Sequence, residues 1–355
     1  MKKLKLIIAA LMAIAVVTGS FTPTTARAAE KEYTYVWSHY VGWELWQYMS
    51  DSGIMKKWAD REGVKIKITL INDYVSSINQ YTAGSVDGCA MTIMDCLDMP
   101  AAGGVDSDIL VVGDYSNGND GIVLMNGKTF EDLKGRKELI VKGSVSSYLS
   151  SRGCTIYKMK DSDVEEVNTS DANIGATFAS SGAKGACVTW NPILMQVRNL
   201  PNATMVFDSS KIPGEIQDLL VVRHDTPDAV KKALVGAWYE AVTIMYGTGK
   251  QTDEAIDAMA KFAGGTIPEF RAQMATTFMF SKPEDGVKFV RDPKLAGIVT
   301  TVSQFCFDHG LYDQSIKTWD AIGVELPGGK IVGNAKNVKV HYLDSYMQAA
   351  AAGKL

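Results

Sequence analysis

The stretch that most constrains this chain is Tyr81 to Pro100, YTAGSVDGCAMTIMDCLDMP, together with its near-echo at Ser180 to Pro192, SSGAKGACVTWNP. Each copy carries a small, Gly-rich end to a helical pattern, followed by a short apolar run, Cys89 to Thr92 in one and Ala186 to Thr189 in the other. Apolar runs of that length, bounded by turn formers, read as buried strands. The runs then break, at Met94-Asp95 and at Trp190-Asn191-Pro192. Open α/β sheets place ligands beyond the carboxyl ends of their strands. Two such ends, one in each half of the chain, predict two lobes facing a shared cleft.

Tyr33 to Trp37 alternates as a strand, and Ser38-His39-Tyr40-Val41-Gly42 is the turn after it. Leu45, Met49, Ile54, Met55 and Trp58 fall at helical spacing, predicting a helix over 43–62 that Gly53 interrupts. Lys65 to Ile71 alternates as a second strand. Asn72-Asp73 can cap a helix from Tyr74 to Ala83. A short helix from Asp95 and an apolar strand, Ile109 to Val112, come next. Such strand–helix alternation implies a parallel sheet with covered faces.

Gly113 to Gly121, GDYSNGNDG, is rich in turn formers and marks a crossover or hinge. Beyond it, strands are expected over 121–125, 138–141, 164–169, 186–189, 204–207 and 219–222, with helices over 129–135, 143–150 and 171–180. From Pro227 onward the pattern is mainly helical, over 229–246, 253–263, 267–277 and 293–309, and the tail from Lys317 is mixed. The crossover and the return strand at Leu219 set the expected lobes as residues 29–116 plus 222–355, and residues 117–221.

Lys2, Lys3 and Lys5, the apolar run Leu6 to Val17 and the small-x-small Ala26-Arg27-Ala28 read as an export signal, residues 1–28, cleaved near Ala28/Ala29. The run is short of the roughly 20 apolar residues of a membrane span. Dropping four cations leaves 32 Lys and Arg against 40 Asp and Glu, so the net charge moves from −4 to −8. That argues against nucleic acid and anionic membranes, which call for basic surfaces. About 325 mature residues exceed one ordinary core.

Cys89, Cys96, Cys154, Cys187 and Cys306 make an odd count with no CxxC pair. They read as mostly structural, with a Cys89–Cys96 bridge left open. The chain has no GxSxG, HExxH or GxxxxGK[ST] motif. Its histidines, His39, His224, His309 and His341, are too scattered to predict a metal cluster. No base is identifiable for Cys187 as a nucleophile, so the expectation is a binding protein and not an enzyme.

Thr129 to Gly135, with DLKG before a strand, Gly143-Ser144, and Gly185 to Pro192 occur in the order and spacing of a known family. On these residues the chain resembles the periplasmic substrate-binding proteins of nitrate/taurine-type ABC importers. The family usually carries an acidic residue between the Trp and Pro of the last segment; here it is Asn191. The likeness continues through Leu219 to Trp238, with TPDAVKKAL, and covers nearly all of the mature chain. VGWELW, INDYVSSINQYTAG, MTIMD, PAAGGVDS and GDYSNGNDGIV further resemble a branch found beside urea- and guanidine-carboxylating enzymes. The resemblance implies an α/β, two-lobed periplasmic-binding-protein fold of type II, with the ligand cleft between the lobes. It also implies a periplasmic monomer that captures a small molecule by hinge closure and delivers it to an ABC permease in the inner membrane, with no cofactor and no nucleic acid. Nitrate, a sulfonate such as taurine, or a pyrimidine are the alternative ligands. A module that presents ligand to a chemoreceptor would look the same.

The strand ends expected at the cleft are poor in Lys and Arg. They offer His39, Tyr40, Trp43, Thr92, Asp95, Asp114, Asn119, Asp120, Trp190 and Asn191, with Ser144 and Ser146 at a helix start. Carboxylates with aromatic walls suit a planar cation or a neutral amide, because guanidinium is donor-only and pairs bidentately with a carboxylate. Aromatic faces also stack on it. Each residue has a bland reading too. One of Trp43 and Trp46 can be core packing. Asp95, Ser144 and Ser146 can be helix caps. Asp114 and Asp120 can hold a hinge turn, and His39 can be a polar turn residue. Asp95, at the mouth of the first strand, is the first choice of counterion.

Overall fold

The alternating segment Glu32–Trp37, EYTYVW, runs from exposed Glu32 to fully buried Val36 and Trp37, so this strand drives its carboxyl end into the core. The computed structural model describes residues 31–355, and the expected export signal lies outside them. That first strand, β1 (Glu32–Trp37), pairs in parallel with β2 (Lys65–Leu70) and β3 (Gly88–Thr92). Every residue of β3 is buried, as expected of a strand covered on both faces. β4 (Ser107–Ser116) follows, and the chain then crosses to a second sheet.

The second sheet is built from β5 (Asp120–Met125), β6 (Lys137–Ile140), β7 (Glu165–Asn168), β8 (Ala186–Trp190) and β9 (Ala203–Asp208), in the order β7-β6-β8-β5-β9. The chain returns through β10 (Gln217–Arg223), which inserts between β3 and β4 and runs antiparallel to both. β11 (Thr277–Met279) adds to the far end of β4. β12 (Gly323–Leu326), β13 (Lys330–Val332) and β14 (Val338–Tyr342) extend the first sheet to nine strands, in the order β13-β12-β14-β4-β10-β3-β1-β2.

Several expectations are corrected. Both sheets are mixed, because the strand that follows each crossing, β5 or β10, is antiparallel to its neighbours. The turn-rich GDYSNGNDG segment remains strand through Ser116, held on both sides by β10 and β11, and only 117–119 turn. β10 is paired in the first sheet from Gln217, earlier than the Val222 boundary. The helix expected over 267–277 ends at Met274 and gives way to β11, and a helix over Pro283–Val290 had no counterpart in the sequence reading.

The two crossing segments touch. The Ser116 and Ser209 hydroxyls lie 2.6 Å apart. Ser209 Oγ also accepts from the Gly118 amide at 2.8 Å, and Ser116 Oγ from the Asp120 amide at 3.1 Å. Both serines are buried. These bonds satisfy backbone groups that sheet pairing leaves over at the crossing.

The main core packs Trp46 between Tyr35 and Trp238, with ring centroids 4.1 and 5.3 Å away. A smaller cluster, including Val123, Ile174, Phe178 and Leu194, lies against the second sheet. All five cysteines are free and buried, so Cys89 and Cys96 form no bridge. Burial pushes the Cys89 thiol up to about 12 and raises Cys187 as well. These thiols pack as small hydrophobes. Among the described residues no helix is long and apolar enough to cross a membrane.

Candidate ligand-binding site

Register delivers acidic groups to the strand ends. Thr92, the last residue of β3, is the partner of Asp218 on β10, and Trp190, the last of β8, is the partner of Asp120 on β5. An antiparallel strand thus starts where a parallel one ends, and each start carries a carboxylate. The pocket between these ends is walled by the rings of Tyr40, Trp43, Tyr74 and Trp190. Asp120, Asp218 and Thr92 supply its polar groups, and Val145 and Ile216 complete it. The four rings form a continuous chain, with centroids 5.1, 5.8 and 5.7 Å apart from Tyr40 to Trp43 to Tyr74 to Trp190.

The cavity volume is about 20 Å³, on the scale where one water needs roughly 10–15 Å³. Only a ligand of a few heavy atoms fits without the walls parting. Among the described residues no Lys or Arg lines it.

Beneath it lies a second layer of carboxyls. Tyr40 donates to Asp114 Oδ1 at 2.7 Å. Asp114 faces Asp218 across the β4–β10 pair, and burial raises both acids. Burial likewise pushes Asp120 up to about 7, helped by the negative fields of Asp114 and Asp95 and opposed by Ser116. Desolvation disfavours the charged form of an acid when no cation compensates it.

Of the residues singled out in the sequence, Tyr40, Trp43, Thr92, Asp120 and Trp190 line this pocket. Trp46, three residues from Trp43, belongs to the core. Asp95 does not line it: its Oδ2 accepts from Tyr74 Oη and Thr92 Oγ1, both at 2.6 Å, so it positions the wall from behind. Thr92, not Asp95, caps the short helix Ile93–Cys96. Asp114 lies in the layer below, in a strand and not a turn.

His39 turns its ring to Glu44, with Nδ1 to Oε1 at 2.7 Å, while its carbonyl accepts from Trp190 Nε1 at 3.1 Å. Asn191 bonds Thr276 Oγ1 at 3.1 Å and the Met195 amide at 3.0 Å, and Asn119 is buried beside the same threonine. Ser144 caps the helix Val145–Ile156, accepting from the Ser146 amide at 3.2 Å, and Ser146 is fully buried in it. Tyr74, Val145, Ile216 and Asp218 were missed. Tyr74 carried a signal, as the first residue after the Asp73 cap. Asp218 did not, because its position depends on strand direction.

The fold is that of the periplasmic binding proteins. An alkanesulfonate-binding protein from Xanthomonas axonopodis pv. citri, solved bound to MOPS, superposes with a TM-score of 0.62 at 15% identity, over 81% of this chain and 97% of that one. The periplasmic aliphatic sulphonate-binding protein of Escherichia coli gives 0.63 at 16% identity, over 82% and 99%. The periplasmic nitrate-binding protein of Synechocystis PCC 6803 gives 0.63 at 12%, over 92% and 89%. No protein-family model matches the chain, and no curated protein matches it by sequence. Likeness at this level establishes architecture and leaves the ligand to the residues.

Proposed function

We propose that this chain, with the architecture of those binding proteins, is the periplasmic substrate-binding component of an ABC uptake system, and that it captures a small planar nitrogen cation of the guanidinium type. The observation that carries the reading is the pair Asp120 and Asp218 in a tight aromatic pocket that, among the described residues, no Lys or Arg lines. A guanidinium would give its donors to these carboxylates and its faces to the rings. A nitrate or sulfonate, as in the names of the similar structures, would meet like charge there and find no basic partner on the walls.

Neutral urea is a second reading. Asp120, pushed up to about 7, is partly protonated near neutrality and able to donate to a carbonyl oxygen. In either case we propose two lobes, residues 29–116 with the C-terminal part from the return strand onward, and the segment between. They would close on the ligand and present the closed form to an inner-membrane permease. Export by the N-terminal signal, a monomeric state and the absence of catalysis belong to the same proposal.

The test is calorimetric titration of the mature protein with guanidinium, urea, nitrate and taurine at pH 8. Guanidinium binding tightest supports the reading. Tight binding of nitrate or taurine, with none of guanidinium or urea, ends it.

A further inference from the structure

At the other end of β4 a different cluster assembles. Asp106, just before the strand, His224, just after β10, and His341, in β14, each bring a donor atom within 4.8 Å of the other two. The imidazoles of His224 and His341 stack with centroids 4.7 Å apart. His341 Nε2 lies 2.9 Å from Asp106 Oδ1, and its Nδ1 lies 2.8 Å from Glu325 Oε2. His224 Nδ1 lies 2.7 Å from Asp108 Oδ1, and Asp108 is fixed in turn by Lys231 at 2.6 Å. The residues come from three distant stretches of chain, so spacing in the sequence is silent about the cluster.

We propose that Asp106, His224 and His341 form a site for a divalent transition metal of the Zn²⁺ class, with a fourth position open to water. Metal-binding histidines commonly give their second ring nitrogen to a carboxylate, which fixes the ring and raises its basicity. Glu325 and Asp108 stand in that relation to the two rings. Two imidazoles and one carboxylate suit Zn²⁺, and also Ni²⁺ or Cu²⁺, whereas Mg²⁺ and Ca²⁺ favour all-oxygen shells. Asp106, just before β4, and Asp114, within it, are eight residues apart, roughly 26 Å at 3.3 Å per residue if the chain is extended. The metal site is therefore separate from the pocket, and its ion would clip three segments of the first sheet.

The test uses chelator-treated mature protein titrated with ZnCl₂ and with MgCl₂, by calorimetry and by thermal unfolding. One Zn²⁺ per chain at micromolar or tighter affinity, raised thermal stability and no response to Mg²⁺ are expected. His341→Ala and His224→Ala should each weaken Zn²⁺ at least tenfold, while His309→Ala, elsewhere on the surface, leaves it unchanged. Zn²⁺ binding that is absent, only millimolar, or equal in His224→Ala and the wild type identifies an adventitious ion only and overturns the proposal. His224 is exposed, so its variant carries the test if His341→Ala does not fold.

Discussion

Asp114 and Asp218 are register partners on β4 and β10, and their carboxyl groups meet beneath the pocket with Tyr40 donating to Asp114. Oδ2 of each accepts from no ordinary donor. A hydrogen bond between the two carboxyls requires that one keep its proton, since like charges at that distance cannot both persist in a dry site. On the proposed cation reading, the pair would be a reserve of negative charge, released when the cation arrives above it.

Affinity for guanidinium should follow the ionisation of Asp120. With its carboxyl pushed up to about 7, binding should weaken roughly a hundredfold from pH 8 to pH 5, since each unit below the pKa costs about tenfold. Calorimetry at four pH values reads this directly. A guanidinium affinity flat with pH would mean that Asp120 is not its counterion, and one that rises as pH falls would end the cation reading. The ligand-free protein has the opposite trend. A raised acid binds more protons folded than unfolded, so stability should fall as pH rises from about 4 to about 7.

Replacing carboxylates separates wall from support. Asp120→Asn should cost guanidinium about 3–5 kcal/mol, the penalty for unpairing a buried charge. Urea should lose about 1.5–3 kcal/mol, the value of a hydrogen bond to a charged group. Asp95→Asn should act mainly on folding, because Asp95 meets Tyr74 and Thr92 and not the cavity. Equal, small losses for both ligands in Asp120→Asn would argue for a neutral ligand.

Trp190→Ala should weaken ligand binding at least tenfold while the chain still folds. The ring is one wall of the pocket, and its Nε1 donates to the His39 carbonyl. Unchanged affinity with a drop of several degrees in melting temperature would make it a core residue.

Gly42→Ala should damage the acid layer. A Cβ there would lie 2.5 Å from Asp114 Oδ2 and 2.6 Å from the Tyr40 ring. Relief of such overpacking costs about 1–3 kcal/mol. Thermal unfolding and calorimetry together should show lower stability and weaker binding; no change in either would mean that Tyr40 moves freely.

Periodicity located strands and helices whose two faces differ in burial, as in β2, which begins by alternating exposed and half-buried residues, and the helix Tyr74–Thr82, whose Asp73 cap accepts from Ser76. It failed where partners are remote. Asp114 reads as turn in a run of Gly, Asn and Asp, yet β10 and β11 hold it extended. Asp218 reaches the pocket only because β10 reverses direction, and strand direction leaves no trace in hydrophobic spacing. Asp95 looked like a counterion because it follows a strand mouth, but Tyr74 swings across and takes its oxygen. His224 and His341 are neighbours only through the strand order β14-β4-β10.

The hydroxyl pair Ser116–Ser209 has a mechanical corollary. If the lobes close as proposed, two connections fastened side by side would constrain rotation more than one tether, giving a door on a pin and not a ball in a socket. A door swings through one arc. Each closure would therefore return Trp190 to the same edge of Tyr74, and selectivity would not depend on chance re-docking.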